Sequence, residues 1–266
     1  MIFELKNKMP RNSPFLRSED VLTSTIFGNL RYFNKQRILI DFLCESIDLS
    51  NNKLKLSSNN IFEVKFWEKH YNDKSRRYNE TDITLENNHF ILIIECKYHS
   101  PIDEEYEITR DHKIYYSNQL IRYSKILLDK KYSNLIKIMI FLTDDKTIPK
   151  EILIKSRGNI GKNVHLYWLS WSKLYLSLMK QNKKELSLNE LLLYNDLVEL
   201  MIKRNMITFT KFTIGNISCN YNYIKQYKYV KEYYDIDWHY KRCYNYIKGK
   251  TNNNWRYKNE RNIKTN

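Results

Sequence analysis

Two acids and a lysine stand out for the chemistry they could share: Asp82, then twelve residues, then Glu95-Cys96-Lys97. All of them fall within residues 81–101, TDITLENNHFILIIECKYHSP. The run Phe90-Ile91-Leu92-Ile93-Ile94 is apolar enough for a strand covered on both faces, yet it passes directly into a carboxylate and an ammonium. Burying such charges is expensive unless they are paired, solvated or bound to a metal. Paired carboxylates are hard oxygen ligands for a divalent cation such as Mg²⁺ or Mn²⁺, which keeps some of its water and accepts phosphate oxygens. A cation there would cancel the repulsion between the acids, polarise a phosphodiester and acidify a bound water. Lys97 would place the nucleophile or stabilise developing charge.

The elements that must position these groups follow from patterning. Strand alternation puts residues 95 and 97 on one face. A hairpin of 81–86 and 89–98 around Asn87-Asn88 sets position 86 opposite 89 and position 82 opposite 93, so Asp82 and Glu95 become diagonal neighbours on that face. Ser18-Glu19-Asp20 reads as a helix start, with Val21, Leu22, Ile26, Phe27 and Leu30 at helical spacing behind it. The helical pattern continues over 35–47, residues 50–60 form a loop, and 61–67 read as a strand. A helix over 112–130, strands over 136–142 and 164–169, and a helix over 171–179 complete the unit. The class is therefore α/β, a mixed central β-sheet flanked by helices. Residues 1–179 form this core and 180–266 a basic, mainly helical C-terminal region, with a helical pattern over 186–206 and a flexible tail.

This pattern resembles the PD-(D/E)xK nuclease superfamily, whose signature Asp82…Glu95-Cys96-Lys97 follows, with Thr81 where proline often precedes the Asp. Gln119-Leu120-Ile121-Arg122-Tyr123 resembles the QxxxY element of the RecB-like branch, with Gln119 and Tyr123 spaced to share a helix face. The resemblance covers roughly residues 18–175. It implies a restriction-endonuclease-like core and Mg²⁺- or Mn²⁺-dependent hydrolysis of phosphodiester bonds, in DNA foremost, leaving 5′-phosphate and 3′-hydroxyl ends. It further implies Asp82 and Glu95 as metal ligands, the Cys96 carbonyl as another, Lys97 as catalytic lysine, and Gln119 and Tyr123 at the site. A helical acid completes many such sites; Glu19 is the first choice and Glu45 the second. Restriction, phage defence, mobile-element maintenance and repair are settings consistent with such a chain. The family's iron-sulfur branch needs clustered C-terminal cysteines, which this sequence lacks.

Each feature also has a plainer reading. Glu-x-Lys occurs three times, at Glu4-Leu5-Lys6, Glu63-Val64-Lys65 and Glu95-Cys96-Lys97, and Asp48 lies fifteen residues ahead of Glu63. The third is favoured because its strand is buried and a Gln/Tyr helix follows. Asp82, Glu95 and Lys97 could be a cross-strand ion pair, Gln119 and Tyr123 ordinary helix-face residues, and Glu19 a partner of the helix dipole. Arg76 and Arg77 read as a solvated loop or a phosphate grip, and Arg122 is similarly open. His99 reads as a turn residue, and Trp168 and Trp171 as packing.

The net charge of +15 favours polyanionic partners, nucleic acid first, although a chain rich in Lys, Asn, Ile and Tyr carries part of that charge through composition. From residue 221 on, 10 of the 22 tyrosines are interleaved with lysines and arginines, which suits backbone contact and base stacking. Cysteines at 44, 96, 219 and 243 form no CxxC pair, and six histidines form no ligand set, so a zinc site is not expected. No apolar run is long enough to span a bilayer and no leader is evident, so the expectation is a cytoplasmic chain without a membrane partner. The alternative is a non-catalytic nucleic-acid-binding protein on the same scaffold. The oligomeric state stays open, a homodimer included.

Overall fold

Ser18 opens the first helix, α1 (Glu19–Leu30), by accepting a hydrogen bond from the Val21 amide, while Glu19 and Asp20 occupy the first turn. Leu22, Ile26, Phe27 and Leu30 are buried, as their spacing predicts. The computed structural model of the chain describes residues 18–71, 78–108 and 114–208. Arg76, Arg77, Cys219, Cys243 and the basic tyrosine-rich region lie outside the described residues. No helix among the described residues is long and apolar enough to cross a membrane.

The chain turns through Lys35 and Gln36, both left-handed (φ 51° and 50°), into α2 (Arg37–Leu43). The buried Gln36 amide donates to the Phe62 carbonyl at 2.8 Å and accepts from the Phe62 N–H at 2.9 Å, fastening α2 to the chain just ahead of the first strand. The strands are β1 (Glu63–Tyr71), β2 (Tyr78–Glu86), β3 (Phe90–Cys96), β4 (Glu104–Ile108), β5 (Ile114–Asn118), β6 (Ile136–Thr143) and β7 (Val164–Ser170). Between and after them come α3 (Gln119–Leu127), α4 (Lys150–Arg157), α5 (Ser172–Met179) and α6 (Leu188–Lys203). Five strands form one sheet in the order β1-β2-β3-β6-β7, with β4 and β5 paired only to each other. The β1–β2 and β2–β3 pairs are antiparallel, β3–β6 and β6–β7 parallel. The protein is thus α/β with a mixed central sheet.

Alternation along the sheet sorts the core into two layers. Ile83, Leu85, Leu92, Ile94 and Cys96 face a cluster built with α1, α2, α5 and α6; Ile91, Ile93, Met139 and Phe141 face a second cluster built with α3 and α4. Covering both faces explains why β3 is a continuous apolar run. Both sheet edges are interrupted. Ile47 exchanges two backbone hydrogen bonds with Trp168 of β7 (2.9 and 2.8 Å), and β1 carries a left-handed Trp67 (φ 50°) level with Asp82.

Two expectations are corrected. The hairpin register is Glu86–Ile91 and Ile83–Ile94, because the Asn87 side chain accepts from the His89 and Phe90 amides at 2.9 Å and moves the turn one residue downstream. The helix expected over 112–130 starts only at Gln119: residues 114–118 are β5, and the buried Asn118 caps α3 through the Ile121 amide (3.0 Å) while its own amide donates to Ser156 Oγ (2.7 Å). β4 and α4 carried no sequence expectation.

Beyond residue 179, α6 starts with a capping box of Ser187 and Glu190 and places Tyr194, Leu197 and Met201 in the first core cluster. The compact unit containing it runs to Thr210. Leu197→Ala should therefore cost about 2–5 kcal/mol, like a change in the central strand. Leu192→Ala, at a residue 58% exposed, should stay within about 0.5 kcal/mol. Urea unfolding monitored by circular dichroism compares the two, and equal small effects would place α6 outside the core.

Candidate active site

β2 and β3 part where Asp82 and Glu95 come level. Their ladder ends at Ile83–Ile94, and Asp82 and Glu95 are next in register. They are thus directly opposite each other, not diagonal as expected. The Cys96 N–H donates to Asp82 Oδ2 at 2.7 Å, so a carboxylate takes over where the ladder stops. One residue further, the Lys97 N–H donates to the Leu142 carbonyl at 2.7 Å, which keeps β3 extended and Lys97 on the face of Glu95. Because Lys97 bonds toward β6, alternation turns the Cys96 backbone groups toward the side that β2 leaves.

Glu95 is 0% exposed; Lys97 Nζ meets its Oε1 at 2.7 Å, while its buried Oε2 has no hydrogen-bond partner. Burial, then the negative charge of Asp82, pushes Glu95 up to about 8 against the pull of Lys97. Burial likewise pushes Asp82 up to about 6, opposed by the Cys96 amide and Lys97. Burial acts against the Lys97 ammonium, but Glu95, Glu19 and Asp82 together outweigh it and hold the ammonium well above the ordinary lysine range. The pair is therefore asymmetric. The lysine has three carboxylates around it, while Glu95 has one ammonium and a second acid.

Glu19, at the first position of α1, reaches this cluster from the first-core face. Its Oε1 lies 3.3 Å from Lys97 Nζ, and its Oε2 accepts from the Tyr98 N–H at 2.9 Å and from the Ser100 hydroxyl. The helix-dipole reading and the site reading of Glu19 thus describe one residue. Glu45, the second choice, is occupied elsewhere: Lys53 (2.9 Å) and Lys180 (2.5 Å) hold it, and their bonds outweigh burial to keep its carboxyl below the usual range.

From the second-core face, α3 brings Gln119 and Tyr123. The Tyr123 hydroxyl donates to the Glu80 carbonyl at 2.6 Å, tying α3 to β2 two residues from Asp82. Burial and the charges of Glu95 and Asp82 push that phenol well up, so it stays protonated. Gln119 lies beside it and accepts from the Asp103 N–H at 3.2 Å. Arg122 is held by Asp103 (2.6 Å) and Glu105 (3.4 Å) of the β4 segment. The rival motif resolves into local structure: Asp48 accepts from the Ser50 and Asn52 amides of its own turn, and Lys65 pairs with Glu86 and Glu63 on the surface.

Three groups here were not singled out for site roles. Ser100 and the Tyr98 amide fix Glu19, and the buried Trp171 indole donates to the Lys97 carbonyl at 3.1 Å. Tyr98 and Ser100 carried one sequence signal, closeness to Lys97. His99, left-handed at φ 61°, pairs with Asp144.

Among the described residues no three His, Cys, Asp or Glu side chains form a metal cage. Glu19 faces Lys97 instead of completing one. Two hard carboxylates with an orphaned, enclosed oxygen nevertheless fit a divalent cation that draws its remaining ligands from water and substrate. No family model, curated protein or solved structure matches the chain.

Both acids have raised folded-state values, so their contribution to stability is complete below about pH 4 and is lost as the pH rises through about 6 for Asp82 and about 8 for Glu95. With chelator present, the melting temperature should fall between about pH 4 and 8 and level off above. Glu95→Gln should flatten the part between about pH 6 and 8, where Glu95 alone titrates, and saturating Mg²⁺ should restore the wild-type value. Coincident wild-type and Glu95→Gln profiles would contradict this electrostatic picture.

Proposed function

We propose that the chain is a divalent-metal-dependent phosphodiesterase that acts on polynucleotides, DNA foremost. The observation that carries this reading is Glu95: a wholly enclosed acid with an unmatched oxygen, level with Asp82 and in contact with Lys97. As a carboxylate such a group is costly unless cations meet it, and without them it holds a proton to about pH 8. A restriction-endonuclease-like core is the finer reading of the mixed sheet, supported by Asp82, Glu95 and Lys97 at the parting strands and Gln119 and Tyr123 on the next helix.

Asp82 and Glu95 would hold Mg²⁺ or Mn²⁺, with the Cys96 carbonyl on the vacated side of β3. When bound, the cation supplies neutralisation of the two acids, polarisation of the phosphodiester and acidification of water. The chain's own groups do the rest. Lys97, kept charged by its three carboxylates, presents its ammonium to the phosphoryl oxygens as they gain negative charge. Glu19 limits the swing of that ammonium, and its second oxygen is fixed by the Tyr98 amide and Ser100. The Leu142 carbonyl and the Trp171 indole hold the Lys97 backbone. Tyr123 steadies the β2 segment that carries Asp82, and Gln119 stands beside its hydroxyl to orient substrate or water.

Supercoiled plasmid nicking in Mg²⁺ against EDTA tests the reading. Wild-type protein should cleave only with the metal, and Asp82→Asn, Glu95→Gln and Lys97→Ala should each lose roughly 10²-fold or more. Glu19→Gln and Gln119→Ala should lose about tenfold as positioning residues. Cleavage unaffected by EDTA or by Lys97→Ala overturns the mechanism, and DNA binding without cleavage in Mg²⁺ or Mn²⁺ leaves the non-catalytic alternative.

A further inference from the structure

Arg204, the C-cap residue of α6, is 8% exposed, and its Nε, Nη1 and Nη2 have no hydrogen-bond partner besides the Tyr98 side chain. Its guanidinium carbon lies 5.2 Å from the centre of the Tyr98 ring. Other arginines are provided for: Arg37 pairs with Glu185 and Glu190, Arg122 with Asp103 and Glu105, and Arg157 donates to the Val164 carbonyl at 2.7 Å. Among the described residues no carboxylate pairs with Arg204; burial pulls its value down, and Tyr98, by its charge and a side-chain hydrogen bond, opposes this. The negative end of α6 accounts for the sign of the charge but gives the fork nothing to bond.

A buried guanidinium served by the Tyr98 side chain alone, with no described anion beside its fork, is costly and calls for a ligand opposite in charge to that of Glu95. The fork is planar and matches phosphate with two parallel hydrogen bonds. Its position relates it to the site. Tyr98, beneath the guanidinium, follows Lys97 directly, and its amide is bound by Glu19. We infer that Arg204 binds a phosphate group of the polynucleotide next to the one at Lys97, an assignment that rests on the phosphodiesterase reading. Asp82, Glu95 and Lys97 would take the scissile group, while Arg204 and the Tyr98 face fix the register of the strand.

The test uses the full chain with Lys97→Ala to prevent turnover, and a fluorescein-labelled single-stranded DNA whose binding is read by anisotropy in Mg²⁺ across a salt series. Arg204→Met should weaken binding about tenfold and reduce the salt slope by about 0.7, the signature of one lost phosphate contact. It should also raise the melting temperature of the free protein, because an unpaired buried charge is removed. Arg204→Gln serves if the methionine variant does not fold, with the same expected losses. Unchanged affinity and slope in the folded variant overturn the inference. So does a variant that loses only stabilisation by inorganic phosphate while binding DNA normally, since the site then takes the free anion. Arg204-dependent binding by a wild-type chain that never cleaves removes the phosphodiesterase reading and keeps the phosphate site, whereas cleavage with an Arg204-independent KM does the reverse.

Discussion

Glu95, next to last in the middle strand of the sheet, is completely enclosed, and the surroundings are arranged around its charge. An isolated carboxylate in such a place would take up a proton or force the chain open. Here it lies level with a second acid, which makes the problem worse, and against one ammonium, which relieves it in part. The strands part at that level, so the backbone ladder yields to a side-chain bond from the Cys96 amide to Asp82. Glu19 shares Lys97 with Glu95, and so the lysine is oversupplied with negative charge while Glu95 is undersupplied with positive. Burial and that imbalance together push the Glu95 carboxyl up to about 8.

The two core layers explain how distant segments meet. α1 packs on one face of the sheet and delivers Glu19; α3 packs on the other and delivers Gln119 and Tyr123. β3 runs between them and emerges at its carboxyl end with Lys97. The parallel neighbours β6 and β7 end nearby in Thr143, Asp144 and Ser170, and the carboxyl ends of parallel strands are where α/β sheets usually gather ligands. Thr143 accepts from the Trp168 indole at 2.9 Å, and Trp171 spans from this end back to Lys97. Packing and polar fixation are thus carried by the same large side chains.

How much of this was legible depends on the range of the forces involved. Ser18 as a cap, the doubly buried 90–94 run and the opposition of Asp82 to the Glu95 strand follow from local chemistry, and each is present. The register was misplaced because one side chain, Asn87, recruited two amides and moved the turn. The start of α3 was misplaced because Asn118 caps it through contacts with α4, a partner 38 residues away in sequence. Glu19 ranks ahead of Glu45 in the sequence, on the helix start alone. Their difference lies in which lysines the fold brings up, Lys97 for one and Lys53 with Lys180 for the other. Arg204 had no sequence signal, since an arginine at a helix end is ordinary until its burial is known.

The interrupted sheet margins have a consequence for solution behaviour. An outermost strand normally offers a row of idle amides and carbonyls that invites another molecule to zip on. On β7 Ile47 occupies the backbone groups of Trp168 at mid-strand, and on β1 the turned-out backbone at Trp67 breaks the row midway, with Lys65 and Lys69 to either side. The margins of the described sheet therefore present short, broken rows instead of one continuous template.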